Sequence, residues 1–451
     1  MRKRISAFFS VLAAIVLLTV PASAASSGST LKIICADAGQ VIFTPPGSTQ
    51  YAYRYGPAIL IDGDRIDIWA SAPPLVSNGV RYGNDSIEYI RSTDGGKTWT
   101  EWKTVLYPTL NSEDQWSTCD PGAFKYGDYY YVGYTGSPEF RTNPDKEKQV
   151  NNLFIARAKN PEGPYEKWNG NGWGGDPYAI TRYSGDGVGC SMPSFTVKGD
   201  TLYMYYVDQT HPDQDWNSEG NISVSTFSLK DPNWPGNELS NKMCENKPEE
   251  VRYCPDIDKF IGFQLKGGWD YDSYVEIYES TDGVNFTKTS SFRNNFPHYA
   301  HNIGISGNNL GQLDLSIQNY IGTAYTPTGV EAWWGHWHTQ LIPLYIREER
   351  PSSTTSSQPS GSTDSSSRKP TTSSVGSTDG ESSETEVSEP QNSNIESTVS
   401  DDKDKDKEVN NKTEQQEETS YLWLYIVIGA VVVLAGAGTA GYFLVIKKKH
   451  V

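Results

Sequence analysis

The sequence lacks a cysteine pattern that could hold the fold together or bind a metal ion. Its five cysteines, at positions 35, 119, 190, 244 and 254, are an odd number without a C-x-x-C pair or a Cys/His spacing typical of zinc. These features argue against a metal site built on cysteine. Cys244 and Cys254 are close enough in sequence to form a disulfide in an exported protein, and buried free thiols are the alternative.

The chain also lacks a net positive charge, since its formal net charge is −17. Nucleic acids and anionic lipid surfaces are polyanions and would be repelled by a domain of this charge. We therefore expect no nucleic-acid partner.

Long apolar runs are confined to the two ends of the chain. Residues 1–24 have the pattern of a signal peptide, with basic residues first, then an apolar run, then Ala22-Ser23-Ala24 as a cleavage site. Residues 421–446 contain an uncharged stretch long enough to cross a hydrocarbon core of ~30 Å. Three lysines follow in the tail 447–451, and basic residues favour the cytoplasmic side. The sequence predicts a single-pass cell-membrane protein with an extracellular domain, and no L-P-x-T-G signal for covalent attachment precedes the span.

The segment 351–420 is rich in Ser, Thr and charged residues and has almost no large apolar side chain. Such a segment cannot bury enough surface to offset the entropy of ordering, so we predict a disordered, acidic stalk. The folded domain is then 25–350.

No long amphipathic helical pattern occurs in the domain, and strand signals recur in related packets instead. Each packet has an apolar strand, a tight turn and a second strand, and segments such as Ile87–Arg91 supply third strands. The packets begin near Gly56-Pro57, Asp120-Pro121, Met192-Pro193, Cys254-Pro255 and His301. Their spacing is typical of four-stranded blades, so the sequence predicts an all-β, five-bladed β-propeller.

The segment Ser92–Trp99 follows the S-x-D-x-G-x-x-W pattern of an Asp-box, and Ser280–Phe286 is a shortened copy. It resembles the hairpin turn of sialidase-type propellers, as does Tyr53–Leu60, which is similar to their first strand. Asp94 and Asp282 can bond to the backbone of their own turns, so we expect an architectural role away from any ligand.

The run Ala156–Trp168, of the form A-R-x-K-x-P-x-G-P-Y-x-K-W, resembles five-bladed β-propeller glycoside hydrolases of the arabinanase and β-xylosidase type. The resemblance implies hydrolysis of a carbohydrate without an organic cofactor, and it is compatible with a structural calcium ion on the propeller axis. It also implies acidic residues at the starts of the first three blades. Asp120 occupies the second of these positions, whereas Gly56 and Met192 occupy the other two.

The predicted catalytic residues are therefore Asp120 and Asp186. Glycosidic bond cleavage uses two carboxyls, one as acid and one as base or nucleophile. We expect Asp120 to stay ionised beside Arg54, and Asp186 to donate the proton because it precedes the third inner strand. Further aspartates are expected on the same face, each with a turn-capping role as the alternative: Asp85, Asp208 and Asp270.

The predicted substrate-binding residues are Arg54, Asp114, Trp116, Trp269 and His301. Arg54 can clamp a substrate carboxylate or pair with Asp120. Indole rings can stack on sugar rings, although blades also need aromatic residues in their cores. His301 can line the axis or be a satisfied buried histidine.

These observations leave several functions open. The leading hypothesis is a cell-surface glycoside hydrolase with an altered set of acidic residues. The alternatives are a non-catalytic carbohydrate-binding propeller, a sialidase-like enzyme and a purely structural surface protein.

Overall fold

A computed structural model describes residues 28–47, 52–138, 140–143, 146–183, 188–210, 220–330 and 335–350. All of them lie in the first of the two compact units of the chain, Met1–Gln358 and Pro359–Val451. These ranges contain strands and turns but no helix, so the prediction of an all-β domain is confirmed. The predicted signal peptide, stalk and membrane-spanning segment fall outside the described residues. Within the described ranges, no helix could cross a membrane.

The strands, numbered along the chain, are β1 (Thr30–Cys35), β2 (Gln40–Phe43), β3 (Tyr55–Asp62), β4 (Arg65–Ala72), β5 (Leu75–Ser77), β6 (Val80–Tyr82), β7 (Ser86–Ser92), β8 (Lys103–Leu106), β9 (Ser117–Tyr126), β10 (Tyr129–Ser137), β11 (Phe140–Asn143), β12 (Lys146–Gln149), β13 (Asn152–Ala158), β14 (Glu166–Lys167), β15 (Gly189–Lys198), β16 (Thr201–Gln209), β17 (Asn221–Ser228), β18 (Glu238–Met243), β19 (Glu250–Cys254), β20 (Lys259–Lys266), β21 (Tyr274–Ser280), β22 (Thr287–Phe292), β23 (Ala300–Gly307), β24 (Asn319–Tyr325) and β25 (His338–Glu349).

Most of these strands form consecutive antiparallel groups of four, which we call sheets 1 to 5. Sheets 1 and 5 are joined by a short parallel pairing of β3 with β23 and form one nine-stranded sheet that also includes β2. Sheet 1 is β3-β4-β7-β8, sheet 2 is β9-β10-β13-β14, sheet 3 is β15-β16-β17-β18, sheet 4 is β19-β20-β21-β22, and sheet 5 is β23-β24-β25-β1. In sheet 5 the outermost strand comes from the other end of the domain, since β1 pairs with β25 from Thr30↔Glu349 to Cys35↔Leu344. Backbone hydrogen bonds in one sheet therefore join the two ends of the domain.

The first strands of the sheets contact one another in cyclic order, β3 with β9, β9 with β15, β15 with β19, β19 with β23, and β23 with β3. Glycines make two of these approaches possible. A Cβ atom on Gly304 would lie 1.6 Å from Pro57 O, and one on Gly122 would lie 2.0 Å from Pro193 O. The first strands thus surround a common axis, and the domain is propeller-like.

Four first strands begin with a register shift against their partner strand. Such a shift marks a β-bulge, which re-aims the backbone and its side chains. The bulge residues all have positive φ: Gly56 (57°), Asp120 (47°), Met192 (56°) and Asn302 (57°). Four of the five sheets therefore share the same backbone irregularity near the start of their first strand.

The hydrophobic core lies between neighbouring sheets rather than at one centre. Each interface has its own cluster, represented by Trp69 and Tyr134 between sheets 1 and 2, Phe124 and Phe195 between sheets 2 and 3, Tyr205 and Phe260 between sheets 3 and 4, Phe263 and Ile305 between sheets 4 and 5, and Ile68 and Leu341 between sheets 5 and 1. Burial of these side chains provides the main driving force for packing the sheets around the axis.

The predicted start of the fourth packet is wrong. The first strand of sheet 4 begins at Glu250, and Cys254 is its last residue. Pro255 lies in the turn before β20, whereas the prolines of the first three packets follow a bulge residue.

Both Ser-x-Asp-Gly segments form turns between the third and fourth strands of their sheets. Asp94 accepts hydrogen bonds from the hydroxyl and backbone N–H of Thr98 at 2.6 and 2.9 Å, which lower its pKa to about 2. Burial raises the pKa of Asp282, but the backbone N–H groups of Asn285 and Val284 outweigh burial and lower it. The two aspartates therefore stabilise outer hairpins, at the far side of each sheet from the axis.

Candidate active site

Asp120 lies at the bulge that opens β9, next to the equivalent residue of sheet 1. A Cβ atom on Gly56 would be 3.5 Å from Asp120 Oδ1. The backbone N–H of Asp120 donates to Ser71 Oγ at 2.7 Å, and Cys119 Sγ donates to Asp120 Oδ2 at 3.5 Å. Burial raises the pKa of Asp120 to about 6, because it outweighs hydrogen bonds from Cys119 and Thr135. Asp120 can therefore take up or release a proton near neutral pH.

Asp85 is a buried carboxylate beside the partly exposed Asp120. It accepts hydrogen bonds from Tyr53 Oη at 2.5 Å, Ser117 Oγ at 3.0 Å and Asn84 Nδ2 at 3.2 Å. Ser117 Oγ also lies 3.3 Å from Cys119 Sγ, so a chain of polar contacts leads from Asp85 to Asp120. Burial raises the pKa of Asp85, and its negative charge contributes to the raised pKa of Asp120.

An aromatic cluster surrounds His301 on β23. The imidazole stacks on Trp337 with a centroid distance of 4.2 Å, and the Trp269 ring is 4.5 Å away. Burial lowers the pKa of His301 to about 3, so the ring is neutral at ordinary pH. Tyr55 packs 5.5 Å from His301 and shares a buried cluster with Cys119. The structure thus brings Asp120, Trp269 and His301 into one region.

The remaining bulge residues lie close to one another as well. Asn302 Nδ2 is 3.6 Å from Met192 Sδ, which belongs to sheet 3. Asn302 is 9% exposed, and its Oδ1 atom has no hydrogen-bond partner within the described structure. A buried acceptor of this kind suits a donor such as a sugar hydroxyl.

Glu250 is a further acidic residue on a first strand, and the sequence reasoning missed it. Ser194 Oγ donates to Glu250 Oε2 at 3.1 Å, and Arg252 NH2 lies 2.8 Å from the same oxygen. Burial raises its pKa, although the Arg252 charge opposes this. Arg252 also donates to Ile305 O at 3.0 Å, so the pair links three sheets. Charged and apolar residues alternate at Glu250, Val251 and Arg252, and this strand signal in the sequence could have located β19.

Arg54 is not at the axis, and the expected pairing with Asp120 is wrong. Its guanidinium forms an ion pair with Glu88 Oε2 at 2.5 Å. It also packs over the rings of Phe43 at 4.6 Å and Trp102 at 5.5 Å. Arg54 therefore anchors β2 and the outer part of sheet 1. Arg54 is the cation expected to bind a substrate carboxylate in the sialidase-like hypothesis, and its pairing with Glu88 removes that support.

Asp114 is fully buried among protein donors, which contradicts its predicted role in substrate binding. Its Oδ2 atom lies 2.5 Å from Lys167 Nζ and accepts from Tyr134 Oη at 2.9 Å. Lys167 belongs to the Ala156–Trp168 run, so this run builds sheet 2. Trp116 immediately precedes β9, and its carbonyl accepts from Asn84 N at 2.6 Å, which places its backbone beside Asp85.

Several predictions concern proton donation, metals and thiols. Asp186 lies outside the described residues, so its role stays a prediction. In the ranges that the structure covers, no group of three or more His, Cys, Asp or Glu residues could hold a metal ion. All five cysteines are buried free thiols, and Cys244 and Cys254 are not bridged.

This arrangement can move a proton at Asp120 and can present aromatic rings and a polar acceptor to a ligand. The neutral imidazole of His301 adds no charge, so the site suits an uncharged polar molecule better than an anion.

No family model and no curated protein matches this chain. Among solved structures, it is similar to the alpha-L-arabinofuranosidase PaAbf62A from Podospora anserina, in complex with cellotriose, with 11% identity, a TM-score of 0.45 and coverage of 72% of this chain and 99% of that chain. It is also similar to Zg3597, a family 117 glycoside hydrolase from Zobellia galactanivorans, with 14% identity and a TM-score of 0.45. This similarity covers 71% of this chain and 91% of that chain. Similarity at this level assigns neither a substrate nor catalytic residues to this chain.

Proposed function

We propose that this protein is a membrane-anchored, five-bladed β-propeller that hydrolyses glycosidic bonds in extracellular carbohydrate. The observation that carries the proposal is Asp120, a carboxyl at the axis with a pKa of about 6, close to the rings around His301. The sequence resemblance of the Ala156–Trp168 run supports the same reaction.

In this proposal Asp120 transfers the proton, instead of staying ionised as the sequence predicts. A carboxyl with a pKa near the working pH is well suited to general acid–base catalysis. The rings of Trp269 and His301 would lie against a sugar, and Asn302 Oδ1 would accept a hydroxyl hydrogen. Asp186 is the proposed partner carboxyl, because Asp85 and Glu250 are both held by hydrogen bonds within the protein.

A non-catalytic glycan-binding protein is the second candidate, and the same observation about Asp85 and Glu250 favours it. Hydrolysis requires two carboxyls placed on either side of one bond. If Asp186 lies elsewhere, Asp120 would bind a sugar hydroxyl without cleaving a bond.

The test compares the full-length protein in mild detergent with its Asp120→Asn variant. Release of 4-nitrophenol from chromogenic arabinosides and xylosides and of reducing sugar from arabinan and arabinoxylan reports hydrolysis, and a glycan array reports binding. Loss of a general acid or base should lower the rate by about 10²–10⁴-fold. Asp128→Asn is the matched control, because Asp128 is exposed in the turn at the opposite end of the same strands.

Three outcomes separate the candidates. Hydrolysis that is lost in Asp120→Asn and kept in Asp128→Asn supports the enzyme. Glycan binding without hydrolysis in the unaltered protein supports the binding protein. Equal hydrolysis and equal binding in all three proteins would show that Asp120 is not in the site.

The location is part of the same proposal and rests on the patterns of residues 1–24 and 421–451. Protease treatment of intact cells should release the folded domain by cutting in the segment 351–420. A domain that is protected until the cells are lysed would contradict an extracellular location.

A further inference from the structure

Exposed apolar side chains cluster on the face where the first strands begin. They come from the β5–β6 hairpin, from the connection between β8 and β9, and from the segment after β14. We call this surface the shelf, and it consists of the exposed side chains of Val76, Val80, Tyr107, Leu110 and Tyr178 and the partly exposed ring of Tyr82. Tyr107 is 42% exposed and Tyr178 is 46% exposed. Large apolar side chains grouped in this way usually mark a binding surface.

The rings of the shelf are held in place by the protein. Tyr82 and Tyr107 pack edge to face at 5.3 Å, and Lys167 Nζ donates to Tyr107 O at 2.6 Å. Arg182 covers one face of the Tyr178 ring at 4.0 Å and forms an ion pair with Glu113. A ring that is fixed before binding loses little side-chain entropy when it contacts a ligand.

The shelf is continuous with the region around Asp120. Asn84 follows Tyr82 by two residues, its N–H donates to Trp116 O at 2.6 Å, and its side chain donates to Asp85 at 3.2 Å. Asp85 in turn connects to Asp120 through Ser117 and Cys119. Asn84, Trp116 and Asp120 are themselves partly exposed, so a ligand that extends from Asp120 past Trp116 and Asn84 would reach the shelf.

We propose that the shelf binds additional sugar units of a polysaccharide whose reacting or recognised unit lies at Asp120. This inference rests on the proposed function and adds that the ligand is a polymer rather than a short saccharide. Phenol rings stack on the apolar faces of sugars while their hydroxyl groups stay available for hydrogen bonds. Continuity with the Asp120 site favours further units of the same glycan over a separate protein or lipid ligand.

The test is affinity gel electrophoresis of the full-length protein in mild detergent, through gels that contain arabinoxylan, arabinan or xyloglucan. The variants are Tyr107→Ala, Tyr178→Ala and the double substitution. Tyr107→Phe keeps the ring and should bind normally. Tyr345→Ala is the control, because Tyr345 is 49% exposed but lies on β25. Thermal unfolding of each variant verifies the fold.

We expect at least one polysaccharide to retard the unaltered protein, and the double substitution to weaken this binding about tenfold, as the loss of two stacking contacts implies. Rates on 4-nitrophenyl glycosides should not change, because these substrates are too short to reach the shelf. No retardation by any of the polysaccharides, or equal retardation of the double variant, would overturn the proposal. Retardation that depends on the shelf in a protein without hydrolytic activity would instead support the shelf and contradict the enzyme.

Discussion

Replacing Asp120 with asparagine should stabilise the folded protein at neutral pH but not at acid pH. In the folded state burial raises the pKa of Asp120 from 3.8 to about 6. The folded protein therefore binds this proton more tightly than the unfolded chain does. The resulting stabilisation is fully present below pH 3.8 and is lost as the pH rises through about 6. Asparagine remains neutral and avoids this loss.

The size of the effect follows from the shift in pKa. One pKa unit corresponds to about 1.4 kcal/mol, so a shift of roughly two units corresponds to about 3 kcal/mol. Asp120 keeps partial contact with solvent, which reduces the expected gain at neutral pH to about 1–3 kcal/mol. The backbone accepts the substitution, because asparagine adopts a φ of 47° more readily than most residues do.

Urea unfolding at pH 4.0 and pH 7.5 measures the difference between the two proteins. The free energy of unfolding of Asp120→Asn should exceed that of the unaltered protein at pH 7.5 and fall close to it at pH 4.0. Asp128→Asn should change little at either pH. A gain of equal size at both pH values, or a loss of stability at pH 7.5, would refute the reasoning about burial.

Three further predictions concern other parts of the chain. Asp94→Asn should destabilise the domain at neutral pH, because hydrogen bonds lower the pKa of Asp94 to about 2; the difference in melting temperature should shrink as the pH falls toward that value. The five buried thiols should react with a thiol reagent only after denaturation, and rapid labelling of the native protein would contradict their burial. Residues 25–350 alone should be soluble and unfold in one cooperative transition, since the composition of 351–420 gives it no route into a core; aggregation of this fragment would show that the tail is needed.

The sequence predicted the strands well where proline, glycine and hydrophobic alternation act together. The packets at Gly56, Asp120 and Met192 each place a proline after the bulge residue, and β3, β9 and β15 begin one to three residues before these positions. The same reasoning failed at Cys254-Pro255, because proline also suits a turn between strands. An X-Pro pair shows where the backbone changes direction, but it does not show which end of a strand this is.

The site was harder to predict, because the direction of a side chain depends on its register within a strand. Arg54 stands between two tyrosines that are 1% and 3% exposed, Tyr53 and Tyr55. Alternation sends Arg54 to the opposite side, where Glu88 and two aromatic rings hold it. Asp114 shows that contacts between residues distant in sequence are also hard to predict. Its partner Lys167 is distant in sequence, and nothing local to either residue indicates that the two meet.

The bulge residues supply only one of the two carboxyls that hydrolysis requires. The described bulge positions are occupied by Gly56, Asp120, Met192 and Asn302, so one of them carries an acid. An aspartate in place of Gly56 would be strained at a φ of 57°, and its Cβ would lie 3.5 Å from Asp120 Oδ1. An aspartate at that position would force two carboxylates together, and one of them would then keep its proton. Asp186 stays the proposed partner of Asp120, because it precedes β15 in the chain.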